Sequence, residues 1–165
     1  MNTGLFRKLI LVMLGMSMSA CSEDHPSPKS HSEPVPTVQT LQDASVALIA
    51  LQDVVDTYVL GGNRTDLQRD AMTAKLVGSN VSWQFKVYDI SKEEGRYRVM
   101  SELMESSAAG SFGKFAVVAF VTPRDDQDIQ ILLKLQTGNE VEILGRVDGV
   151  SARTALVLSP AELVR

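Results

Sequence analysis

One cysteine and two histidines are all that this chain of 165 residues contains, and none of them lies beyond position 31. The stretch from Val38 to Arg165 therefore has neither thiol nor imidazole. That excludes Ser-His and Cys-His nucleophilic catalysis in this stretch, and with it zinc sites built on thiolate or imidazole. It also excludes a disulfide there. The P-loop, the G-x-G-x-x-G fingerprint and the G-x-S-x-G elbow are missing as well. Adjacent acids do occur, at Glu93/Glu94 and Asp125/Asp126, but each pair stands at a turn or a helix start. Solvation and capping account for them better than acid–base work does. The run Pro123 to Gln130 holds Asp125, Asp126 and Asp128 without the glycine or the spacing of an EF-hand loop. We expect no enzyme, no catalytic residue, no cofactor and no metal.

Long apolar runs are also lacking. The longest, Leu9 to Ala20, spans twelve residues, short of the roughly 20 that a helix needs to cross a bilayer. What stands there instead is ordered in three parts. Arg7 and Lys8 are basic, Leu9 to Met16 is apolar, and the small residues Ser17, Ser19 and Ala20 lead to Cys21. This is the layout of a secretory signal. Met18-Ser19-Ala20-Cys21 resembles the lipobox of bacterial lipoproteins, with Met18 where leucine is usual. The resemblance implies that residues 1–20 are removed and that the Cys21 thiol carries a diacylglyceryl group, so that the membrane is the first partner. A lone cysteine in an exported chain calls for such an explanation. Ser22 stands where an aspartate would imply retention in the inner membrane. The expected address is therefore the outer membrane, facing the periplasm.

Residues 21–37 read as a tether. Four of the six prolines, Pro26, Pro28, Pro34 and Pro36, lie in it among serines and charges, and such a segment buries too little apolar surface to repay its ordering. His25 and His31 fall here, and a solvated linker explains them better than a metal site. Residues 38–77 read as a helical segment. Val38 to Leu60 repeats apolar residues at three- and four-residue spacing (Val46, Ile49, Val54, Val55 and Tyr58 among them), and Gly61-Gly62 closes it. Thr65 to Gln68 opens a second helix as a capping box, which ends near Leu76 before Gly78.

Residues 78–165 read as a domain of short strands. Val81, Trp83, Phe85 and Val87 alternate with polar residues, as in a half-buried strand. A turn at Glu93-Glu94-Gly95 leads to a second strand marked by Tyr97, Val99 and Leu103. Lys114 to Thr122 is a third, apolar on both sides and so central or helix-covered. Pro123 to Leu135 is a helix capped by Asp125, with Ile129, Leu132 and Leu133 as its buried stripe. Glu140 to Val150 and Ala155 to Leu158 complete the strands, Gly145 marks a bulge or bend, and Ser159 to Glu162 reads as a final helical turn. Five strands with a helix between the third and fourth give an α+β, mainly β fold: an OB-fold-like barrel preceded by an amphipathic helix.

The same stretch, about residues 70–164, resembles the bacterial tRNA-anticodon-binding-like OB family, many of whose members are proposed lipoproteins of unassigned role. The resembling positions are Gly78, Val81, Trp83, Val87, Asp89 and Ile90, then Leu132, Leu135, Gly138, Val141, Ile143, Gly145 and Val147, and finally Leu156, Leu158 and Ala161. These are mostly core positions and glycines, so the resemblance implies a fold and no activity. Lys86, Tyr88, Arg96, Arg98 and Lys114 fall on the polar sides of the first three strands. They form the expected ligand patch, with Tyr88 opposite Arg98 as a stacking pair. Nucleic acid is not the expected partner: loss of residues 1–20 removes two basic residues and no acid, which makes a net charge of −4 more negative still. The expected function is a tethered, non-catalytic binding module for an envelope protein, peptide or small ligand. The alternative is a structural or accessory subunit of an envelope assembly that docks through the 38–60 helix.

Overall fold

The computed structural model describes Leu41 and residues 45–165. Cys21, the signal, the tether and residues 38–40 and 42–44 lie outside the described residues. The elements are α1 (Leu51–Tyr58), α2 (Asp66–Leu76), β1 (Asn80–Glu93), β2 (Arg96–Ser101), β3 (Ala116–Val121), α3 (Asp126–Lys134), β4 (Glu140–Ser151) and β5 (Ala155–Leu163). Among the described residues no helix is long and apolar enough to cross a membrane.

The alternation in β1 sets the barrel. Val81, Trp83, Phe85 and Val87 are buried while Gln84, Lys86 and Tyr88 are exposed, which a pleated strand produces when one face is covered. The first half of β1 pairs antiparallel with β4, Asn80 to Lys86 against Arg146 to Glu140. The second half pairs antiparallel with β2. The change of partner falls near Tyr88, where β1 advances two residues and β2 one; this extra residue is a β-bulge. Glu94 and Gly95 join β1 to β2 with φ of 48° and 84°, a two-residue turn of the type that matches strand twist and favours glycine. Strands β3 and β5 pair in parallel, and the order β1-β2-β3-β5-β4 closes on itself. With α3 between β3 and β4, this is the five-stranded OB-type barrel that the order of elements predicts.

The helices share the barrel's core. Val54, Val55 and Tyr58 of α1 and Leu76 of α2 belong to one buried cluster with Trp83, Phe115, Val117, Ile143 and Leu158, and the Tyr58 ring stacks on Phe115 at 5.7 Å. The capping box of α2 forms as expected, with Thr65 and Gln68 bonding reciprocally. Asp125 caps α3 by accepting from the Asp128 N–H.

Four expectations need correction. The helix expected over 38–60 is interrupted: among the described residues Leu41 and Leu51–Tyr58 are helical and residues 45–50 are not. Tertiary bonds hold residues 45–50 out of the helix: Ala47 N–H donates to Asn80 O at 2.7 Å and Ile49 O accepts from Trp83 Nε1 at 2.8 Å. Leu103 is exposed and lies beyond β2, which ends at the buried Ser101. Leu133 is likewise exposed, and the buried residue of the first turn of α3 is Asp128, paired with arginines. Ser159 to Glu162 is not a helical turn but part of β5. There β5 spends one more residue than β4 between the Gly145–Ala161 and Val147–Leu158 pairs; such a bulge tolerates Pro160, which has no N–H for the ladder. Gly145 packs closely: a Cβ there would stand 3.0 Å from Leu158 Cβ and 3.1 Å from Ala161 Cβ, so a larger residue would push these neighbours by a few tenths of an ångström.

Candidate functional site

Alternation that buries Tyr97 and Val99 turns Arg96, Arg98 and Met100 of β2 outward. On β3 the outward residues are Val118 and Phe120, both half-buried. Register places Arg98 beside Phe120 and Met100 beside Val118. On the other side β1 sets Ser91 against Arg98 and Asp89 against Met100. The result is one outward face over β1, β2 and β3 with an apolar centre and charges around it. The Arg96 guanidinium lies over the Phe120 ring, 5.1 Å from its centroid, where a cation meets the negative face of the π system. Arg98 donates from Nε to Ser91 Oγ at 3.1 Å and reaches Glu93 at 3.3 Å and Asp89 at 3.7 Å.

The five residues of the expected patch are distributed over this geometry unevenly. Arg96 and Arg98 share the outward face of β2. Tyr88 is exposed but sits at the bulge, so Arg98 lies opposite Ser91 and the expected Tyr88–Arg98 pair does not form. A one-residue offset of this kind cannot be read from period-two alternation. Lys86 lies opposite Glu140 of β4. Lys114 precedes β3 and pairs with Glu105 at 3.4 Å. Phe120, Met100 and Val118 were missed because the third strand reads as apolar on both sides. Its outward side is shielded by Arg96 and Met100 of the neighbouring strand rather than by a helix.

The strongest electrostatics lie elsewhere and hold the structure together. Asp128, fully buried, accepts from Arg124 Nε and the Arg124 N–H at 2.9 Å and from Arg165 Nη2 at 2.7 Å. The hydrogen bonds from Arg124 hold its carboxyl well below the usual carboxylate range against the opposing effect of burial. Arg165 also bonds Asp125 at 2.6 Å, and Arg124 Nη2 donates to Leu163 O at 2.8 Å; together these tie the end of β5 to α3. Asp56 on α1 receives Ser107 Oγ at 2.6 Å, the Ser107 N–H and Ser106 Oγ at 2.8 Å, and Gln52 Nε2 at 2.9 Å. Burial raises its pKa, but these bonds outweigh burial and bring it to about 2. These carboxylates are occupied as acceptors and stay ionised, so neither is set up as a general acid or base near neutral pH. Among the described residues no three His, Cys, Asp or Glu side chains converge to hold a metal ion.

No protein-family model matches the chain, and no curated protein sequence does. Among solved structures, one similar fold is a lipoprotein from Klebsiella pneumoniae subsp. pneumoniae MGH 78578, whose description as nucleic acid-binding is itself provisional. It is 15% identical with a TM-score of 0.44, over 79% of this chain and 99% of that one. Two others are the OBodies AM3L09 and AM3L15, each bound to hen egg-white lysozyme. They are 17% and 16% identical, each with a TM-score of 0.34 over 58% of this chain, and over 91% and 90% of their own. At these values they identify neither a ligand nor a partner.

Proposed function

We propose that the chain is a lipid-anchored, non-catalytic OB-type binding module of the bacterial envelope, and that it engages a protein or peptide partner through the outward face of β1–β3. The observation that carries this reading is the half-exposed cluster of Phe120, Met100 and Val118 with Arg96 laid over the Phe120 ring. An aromatic and an arginine beside aliphatic side chains are what interface centres are enriched in, and the outward side of strands 2 and 3 is a ligand surface in OB folds. Arg98 is already matched by Asp89 and Glu93, so the face is a mixed one, apolar at its centre with paired charges around it, suited to a polypeptide and not a phosphate-tracking groove. The anchoring half of the proposal rests on Met18-Ser19-Ala20-Cys21, and the outer-membrane address rests on Ser22.

The alternative, an assembly subunit docking through an apolar strip of a 38–60 helix, finds no such strip on α1: Val54, Val55 and Tyr58 face the core. Two measurements test the proposal. The double variant Arg96→Ala with Phe120→Ala, folded by circular dichroism, is expected to lose most of the protein that the wild type retains from envelope extracts; undiminished capture removes this face. Cys21→Ser is expected to abolish labelling by a fatty-acid probe and to accumulate unprocessed precursor. Normal processing of that variant, with no lipid on the wild type, removes the anchor.

A further inference from the structure

Among the described residues, the edge of β1 opposite β4 is left open over a short stretch. Odd-numbered residues of β1 bond towards β4, as Val87 N–H does to Asn139 O at 2.8 Å. Successive residues of an antiparallel strand point their backbone groups to alternate sides, so those of Asn80, Ser82, Gln84 and Lys86 point away from β4. Two of the four meet a partner at the ends of the stretch: Asn80 O accepts from Ala47 N–H at 2.7 Å, and Lys86 O accepts from Glu102 N–H at 2.7 Å. Between these two points no strand lies against Ser82 or Gln84 among the described residues. The gap arises because β2 does not continue. After Glu102 the chain leaves β1, and Met104 bridges Phe115 instead. At the other end the chain turns off after Ala47, with Ile49 N–H bonding back to Ala47 O, and passes into α1.

At Gln84 and Lys86, one residue pair beyond Ser82, this edge opens into a groove of about 360 Å³ lined by Leu51, Gln52, Gln84, Lys86, Leu103 and Met104, among others. Leu103 on its wall is 60% exposed. Unpaired strand edges are normally blunted or covered, because they recruit other strands. Here the edge is recessed between the start of α1 and the segment after β2, which keeps out a broad sheet edge but not a single extended chain.

We propose that this slot binds a short extended peptide segment of a partner protein, which adds a strand to β1 at Ser82 and Gln84. The inference rests on the reading of the chain as a binding module but places the contact on a different surface from β2–β3. The chemistry of the occupant follows from the walls. Two residues with free backbone donors and acceptors match only an extended backbone of similar length. Lys86 and Glu102 flank the slot with opposite charges, so no net charge selects for an ionic peptide. Leu51, Leu103 and Met104 offer an apolar wall for alternate side chains of the incoming strand. A second copy of this chain fits poorly, because its own α1 and post-β2 segment flank its β1 edge and would meet the same walls.

The test uses the full chain, ¹⁵N-labelled in detergent micelles, with two probes: a capped neutral pentapeptide of alternating threonine and valine, and the same peptide N-methylated at every residue. In the free protein the amides of Ser82 and Gln84 are expected to exchange with solvent far faster than those of Val81 and Trp83. In excess, the unmethylated peptide is expected to shift the amides of Ser82, Gln84, Lys86, Glu102 and Leu103 and to slow exchange at Ser82 and Gln84 by at least about tenfold. The methylated peptide, which has lost those backbone donors, is expected to do neither. Slow exchange at both residues in the free protein overturns the proposal, because the edge is then already paired. Equal effects of both peptides overturn it, as does the absence of any shift along the slot. Shifts confined to Arg96, Arg98 and Phe120 overturn the slot while leaving the binding-module reading intact, and loss of that reading is registered separately by the Arg96/Phe120 variant.

Discussion

Trp83 joins two parts of the chain through one side chain. Its ring is 4% exposed within the core, and its Nε1–H bonds Ile49 O on the segment before α1. Trp83→Ala therefore removes a large buried volume and leaves that carbonyl without its donor. The expected loss is about 3–5 kcal/mol in urea-induced unfolding, a large part of the roughly 5–15 kcal/mol that holds a typical domain together. A loss below about 1 kcal/mol would mean that the ring is not in the core. The burial of Trp83 is legible from alternation alone, since its neighbours at two-residue spacing are Val81 and Phe85. Its bond to Ile49 is not, because nothing local to residue 49 signals that its carbonyl leaves the helical pattern.

At the scale of elements, the loop from Ser106 to Gly113 is held to α1 by Asp56. The carboxylate accepts from two serines of the loop, and Phe112 N–H bonds Leu60 O beyond the helix end. The pKa of Asp56 falls from 3.8 to about 2 in the folded protein. A depressed folded-state pKa contributes stability that is present above the unfolded value and lost as pH falls through the folded one. The anchor is therefore expected to hold unchanged down to about pH 4 and to weaken as pH falls through about 2. The Ser107 amide resonance, followed from pH 6 downward, is expected to titrate with that midpoint; a midpoint near 4, or no titration, would show that Asp56 does not hold the loop. In the sequence Asp56 reads only as one of several acids on a polar helix face. The residues that make it an anchor lie some fifty positions away.

At the scale of the whole molecule, the distribution of charge argues against nucleic acid. Arginines on the β1–β3 face are matched or stacked within the protein, Lys114 is paired with Glu105, and the chain is acidic overall. Single strands are bound by a basic groove with several free aromatic platforms, whereas Phe120 here is already covered by Arg96. No binding of single-stranded DNA or RNA is expected by fluorescence anisotropy near physiological salt. A sub-micromolar, salt-dependent complex would overturn this.

Local physics was enough to determine the number and order of the strands, the capping box at Thr65, the cap at Asp125 and the turn at Gly95. Each depends on residues within a few positions of one another, through side-chain periodicity or a bond between near neighbours. The absence of thiol and imidazole beyond residue 31 likewise bounds the chemistry without any coordinates. Tertiary structure alone decided where register slips, and so which side chains meet: the bulge near Tyr88 replaces a Tyr88–Arg98 pair with Arg98 against Ser91. It also decided that residues 45–50 leave the helix, because two hydrogen bonds to β1 outweigh a helical pattern that is locally satisfactory. Both outcomes come from contacts between segments far apart in the chain, whose energies no short window of sequence contains.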